Sequence, residues 1–140
     1  MTKSATATGE EPVVFVIDDD PSVRQALGDL LRSLNLRVET FLSAQEFLQL
    51  AHPDSPGCIV LDVNMPGMSG LEFQRALMQG GVDLPIIFIS GNSDIPISVQ
   101  AMKSGAIEFL TKPLNEQALL EAIQAGLKRD RARRILRQSL

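Results

Sequence analysis

Five short strand-like runs recur along the chain, each followed by a stretch with helical spacing. This alternation restricts the fold more than any other feature. The runs are "VVFVI" (13–17), "RVETF" (37–41), "CIVL" (58–61), "PIIFI" (85–89) and "AIEFL" (106–110). Four are apolar throughout or nearly so, as strands covered on both faces require; "RVETF" alternates, as a strand covered on one face does. Between them the apolar residues fall at helical intervals. Val23, Ala26, Leu27, Leu30, Leu31 and Leu34 make one stripe within Ser22–Leu34. Ser43 begins a second helix with Glu46 in capping-box position, and this helix should stop at His52, before Pro53. Ser69 caps a third that Gly80 and Gly81 end; a fourth starts near Pro96 and stops at Gly105; a fifth starts at Asn115 and carries Leu119, Leu120, Ile123 and Leu127. Strict alternation of strand and helix specifies an α/β fold: a five-stranded parallel sheet, doubly wound, with helices on both faces.

A chain of 140 residues suits one domain, and 44% hydrophobic residues suffice for a core. With no Trp or Tyr and six Phe, there is little aromatic surface for stacking bases. The single cysteine, Cys58, lies in an apolar strand, reads as a buried thiol, and fits a reducing, cytoplasmic setting. No segment is long and apolar enough to span a membrane, so no membrane partner is expected. Residues 1–12 lack the apolar stretch of a secretory signal and read as a short disordered leader. Charge is unevenly spread. Residues 126–140 hold Lys128, Arg129, Arg131, Arg133, Arg134 and Arg137 against Asp130 alone, while the remaining chain is strongly acidic. An acidic body is a poor nucleic-acid surface.

The unusual polar residues all follow strands. Asp18, Asp19 and Asp20 come after the first, Asp62 after the third, Ser90 after the fourth and Lys112 after the fifth. Ligands of open parallel sheets bind beyond the carboxyl ends of the strands, so these groups should share a pocket. Gathered carboxylates need compensation, and a hard cation with oxygen ligands supplies it. Asp18, Asp19 and Asp62 would hold Mg²⁺, with Lys112 as a second positive charge and Ser90 as a hydroxyl donor. Such a site is built to hold phosphoryl oxygens, and a carboxylate can itself be the nucleophile. Asp62, alone at its strand end, is the candidate.

The pieces "VIDDD", "VLDVNMPGMSG", "FISG" and "FLTKP", in register with the expected strands, resemble the receiver domain of two-component response regulators over roughly 13–127. The resemblance implies a flavodoxin-like fold with strand order 2-1-3-4-5. It implies Asp62 as phosphoacceptor, served by a sensor histidine kinase. Asp19, Asp62 and the backbone carbonyl of Asn64 would be Mg²⁺ ligands, with Asp18 acting through water. Lys112 would pair with the phosphoryl group ahead of a cis bond to Pro113. Ser90 would be the switch hydroxyl and Phe109 the aromatic that changes rotamer with it, although Phe109 reads equally well as core. The fourth helix, fifth strand and fifth helix would form the output face, with a homodimer formed on phosphorylation as a further expectation. Leu114 replaces the usual Phe after Lys-Pro, and Ser90 stands where Thr is frequent. Asp20 receives no role beyond field strength.

The stretch "GNSDIPISVQAMKSGAIEFLTKP" resembles the receivers of nitrogen-fixation and nitrate-response regulators, which usually carry a LuxR-type DNA-binding domain after a basic helical linker. Residues 128–140 are therefore expected to lead toward an output domain outside this chain, through which alone DNA would be bound. A solvated helix end remains open as the plainer reading of that tail. Two other functions compete. A haloacid-dehalogenase-type phosphatase would want an Asp where Asn64 stands. A flavodoxin-like flavin carrier would want a Ser/Thr-rich phosphate loop where "DDDPS" stands. The module is expected to signal rather than to turn over a substrate.

Overall fold

The computed structural model describes residues 11–50, 56–63, 67–91, 100–103 and 105–138. Asn64, His52, Pro53, Pro96 and the first ten residues of the leader lie outside them. Chain order is β1 (Val13–Ile17), α1 (Pro21–Ser33), β2 (Arg37–Phe41), α2 (Ala44–Leu50), β3 (Gly57–Asp62), α3 (Gly70–Gln79) and β4 (Ile86–Ser90). The helical residues 100–103, here α4, then β5 (Glu108–Thr111) and α5 (Glu116–Gln138) complete it. All pairings are parallel and the strand order is β2-β1-β3-β4-β5. The topology reverses between β1 and β3, which opens a crevice at their carboxyl ends.

Each helix forms where its ends are satisfied. Asp20 caps α1 by accepting from the amides of Ser22 and Val23, and Pro21 takes the first helical position, where its missing N–H costs nothing. Asn35, at φ 65°, turns the chain out of that helix toward β2. Ser69 and Glu72 form the full reciprocal capping box of α3. At α2 the Glu46 amide donates to Ser43 Oγ, but the Glu46 carboxylate accepts from Leu42 rather than from Ser43. Asn115 Oδ1 accepts from the Ala118 amide and opens α5.

The strand sides alternate into two cores. Phe15, Ile17, Ile59, Leu61 and Phe88 meet Phe47 of α2, Phe73 and Leu77 of α3 and Ala101 of α4 on one face. Phe47 sits edge-on to Phe15, Phe41 and Phe73 at ring distances of 5.2–5.6 Å. Val14, Val16, Val60, Ile87 and Ile89 meet Leu27 and Leu31 of α1 and Leu119 and Ile123 of α5 on the other.

Strand boundaries differ from the sequence pattern. Ser90 lies inside β4 rather than in the loop after it, and Asp62 is the last residue of β3. β5 starts at Glu108, two residues later than the apolar run. Gly105, at φ 100°, and the Ala106 amide bonded back to Ala101 O use those residues to close α4. As expected, α5 runs on into the basic tail, unbroken through residue 138.

Candidate phosphoacceptor site

The carboxyl end of β1 leads straight into the first acidic group. Asp18 is 2% exposed. Its amide donates to Phe41 O at 3.2 Å, its carboxylate accepts from the Asp20 amide at 2.9 Å, and its carbonyl accepts from Arg24 Nη1 at 2.7 Å. These bonds fold the turn after β1 so that Asp18 faces the crevice while Asp20 caps α1. Asp19 is exposed at the rim. From the neighbouring strand, Asp62 brings its carboxylate to the same place. One oxygen each from Asp18, Asp19 and Asp62 lies within 4.8 Å of the others.

Burial is the largest influence on Asp18 and pushes its carboxyl above the usual range. The charges of Asp62 and Asp19 add to the rise, against the pull of the Asp20 amide and Lys112. A second positive charge close by would remove that penalty. Mg²⁺ holds its oxygens at about 2.1 Å in an octahedron, so ligand oxygens stand roughly 3–4 Å apart. The all-oxygen donor set and its spacing fit such an ion, with one carboxylate reaching it through water. Asn64, whose carbonyl was the remaining candidate ligand, lies outside the described residues.

Lys112 approaches from the far side. Its amide donates to Ser90 O at 2.8 Å, which extends the β4–β5 ladder by one residue beyond Thr111. Its ammonium stands 3.6 Å from Asp62 Oδ2, and the bond to Pro113 is cis. Ser90 is fully buried. Phe109 is half-buried, paired in register with Phe88, its ring centroid 6.3 Å from that of Phe88. The fold thus brings Asp18, Asp19, Asp62 and Lys112 round one pocket, with Ser90 and Phe109 on the strands beside it.

Three functional contacts escape the sequence reading. Asp20 caps a helix, which the Asp-Pro step at a helix start signals. Arg24 holds the Asp18 carbonyl, a contact six residues apart without a sequence signature. Asp130, isolated among arginines, is fully buried on α5 and accepts from the Gly57 amide at 2.8 Å.

A model of the response regulator receiver domain matches residues 14–124. Nodulation protein W of Bradyrhizobium diazoefficiens is 49% identical over 129 residues, covering 92% of this chain and 57% of that protein. The response regulator protein TodT of Pseudomonas putida is 52% identical over 116 residues, covering 83% of this chain and 51% of its own length. The solved structure of response regulator StyR superposes with a TM-score of 0.87 at 53% identity, over 92% of this chain and 65% of that one. The chain thus spans a little over half the length of the curated relatives it matches.

Proposed function

The chain belongs to the response regulator receiver family, and from that premise we propose that it acts in the cytoplasm and accepts a phosphoryl group on Asp62 from a sensor histidine kinase, with Mg²⁺ held by Asp19, Asp62 and the Asn64 carbonyl and by Asp18 through water. The observation that carries the reading is the grouping of three carboxylates with an ammonium 3.6 Å from Asp62. Neither a flavin carrier nor a dehalogenase-type phosphatase is supported by that membership.

In the transfer, a carboxylate oxygen of Asp62 bonds to phosphorus while the bond from phosphorus to the kinase imidazole nitrogen breaks, and the electron pair leaves with the imidazole. The aspartate becomes an acyl phosphate. Bound Mg²⁺ would neutralise charge on the carboxylates and on the phosphoryl oxygens. Lys112 balances a further phosphoryl oxygen. Asp18, fixed by the Asp20 amide and Arg24, is supported as a group acting through water by its burial behind Asp19 and Asp62. The Ser90 hydroxyl then turns toward the phosphoryl group and Phe109 turns inward, so that α4, β5 and α5 present a changed face for output, including a homodimer. Residues 13–127 form the receiving unit, and residues 128–140 lead toward an output domain that regulates transcription.

The test is intact mass after incubation with Mg²⁺ and a small acyl-phosphate donor. Wild type should gain one phosphoryl group, and Asp62→Asn and EDTA-treated protein none. Equal labelling of Asp62→Asn would move the acceptor elsewhere, and no labelling of wild type would withdraw the mechanism.

A further inference from the structure

At the amino edge of the sheet, opposite the acceptor pocket, α5 carries a second ion cluster. Asp130 is 0% exposed. Its carboxylate accepts from the Gly57 amide at 2.8 Å, from Arg134 Nε at 2.8 Å and from Arg133 Nη2. Arg133 Nε also stands 3.5 Å from Asp83 Oδ2, and its buried Nη1 has no hydrogen-bond partner. Four residues earlier, Arg129 Nη1 donates to Gly105 O at 3.5 Å.

The seat for this cluster is shaped by two glycines. A Cβ at Gly57 would stand 2.4 Å from Val13 O, and one at Gly126 would stand 3.3 Å from Cys58 Cβ. The first contact packs the start of β3 tightly on β1; the second brings α5 close enough to β3 for a short aspartate to reach a strand amide. A lone buried carboxylate is costly, and two guanidiniums with an amide offset that cost. The partners are also distributed. Gly57 opens β3, Asp83 lies just before β4 and Gly105 just before β5. These are the three strands whose other ends carry Asp62, Ser90 and Lys112.

We propose that Asp130 is a latch: it binds residues 128–134 into the folded body, so that α5 leaves the domain as a rigid arm whose direction is set by the amino edges of β3 and β4. Without it, residues 128–138 would hold a run of like charges past the last apolar contact, and such a helix end frays. Whatever follows the arm is then held at a defined orientation rather than tethered loosely. The proposal does not depend on the chemistry assigned to Asp62.

Amide hydrogen exchange on the 140-residue chain tests it, with Val14 and Val16 of the central strand as the reference for global unfolding. In wild type, the amides of 131–134 should exchange far more slowly than those of 136–138. In Asp130→Ala, exchange at Gly57 and 131–134 should rise by about tenfold or more, while Val14 and Val16 change much less. Arg134→Gln, which keeps the Gly57 and Arg133 contacts, should give a smaller rise at the same amides and serves if Asp130→Ala does not fold. Rapid exchange of 131–134 in wild type would overturn the latch. So would a rise of equal size in the arm and in β1, which would make Asp130 a contributor to global stability only, or no change in either variant.

Discussion

Gly70→Ala tests the packing behind the acceptor strand. Gly70 is the first residue of α3 and is buried. An added Cβ would lie 2.9 Å from Phe88 Cε1, 2.9 Å from Val63 Cγ2 and 3.1 Å from the Val63 Cα. Phe88 is 0% exposed and has no room to turn away. Val63 is held by its amide on Ile89 O at 2.9 Å, and it is the residue after Asp62. The methyl group must therefore move a backbone or an enclosed ring, and overpacking of this kind costs about 1–3 kcal/mol. Alanine's helix preference over glycine is worth about 1 kcal/mol in a helix interior and less at a first position. The expected balance is a loss of about 1–2 kcal/mol. With a urea m-value of about 1.5 kcal/mol/M, the unfolding midpoint should fall by about 1 M at constant m. Gly126→Ala is the comparison. It lies within α5, and its Cβ would meet Cys58 Cβ at 3.3 Å and Pro85 Cβ at 3.5 Å. There the propensity gain offsets a mild squeeze, and stability should stay within about 0.5 kcal/mol of wild type. A midpoint for Gly70→Ala equal to or above wild type would refute the steric argument.

Other perturbations separate the remaining forces. Burial raises the Asp18 pKa in the folded state, so the native chain keeps that proton to higher pH than the unfolded chain; stability falls as pH rises from the unfolded value of 3.8 through the folded value. Asp18→Asn should therefore raise the melting temperature of metal-free protein at pH 7, and the gain should vanish well below pH 3.8; an equal gain at both would point to packing instead. Mg²⁺ at a hundred times its dissociation constant should stabilise wild type by about 2.7 kcal/mol, and the same concentration should stabilise Asp18→Asn less; thermal melts with and without the ion decide it. Asp20→Ala removes the α1 cap and should cost about 1 kcal/mol in urea unfolding; no loss would assign the two amides to other partners. Burial pushes the Cys58 thiol up to about 12, so an aromatic disulfide reagent at pH 8 should label it only as fast as the chain opens; labelling at the rate of a free thiol would contradict the packing of α5 on β3.

The strands were legible because a strand covered on both faces leaves an apolar run that little else produces. β1 and β2 keep their expected limits, and Ser69 caps α3 as its place before the apolar stripe suggested, while the reciprocal box it makes with Glu72 went unread. Ala106 and Ile107 were misplaced because apolar character does not distinguish a strand from the turn that feeds it; Gly105 and the bond from Ala106 to Ala101 take them into that turn. Asp20 was undervalued because a carboxylate among carboxylates draws attention to charge rather than to the two amides it caps. Asp130 was counted as one acid against six basic residues, when its position on the helix puts it against a strand amide.

By itself the sequence determined the class of fold and the edge of the sheet where chemistry collects. Both follow from local rules: side-chain periodicity sets the elements, and parallel strands place every post-strand residue on one side. Tertiary structure decided what depends on distance between remote segments. It alone sets Lys112 3.6 Å from Asp62, folds Arg24 onto the Asp18 carbonyl, and seats Asp130 on Gly57, 73 residues away. The physical reason is that a carboxylate's role depends on which charges and amides surround it, and those neighbours are brought together by packing across the sheet rather than by order along the chain.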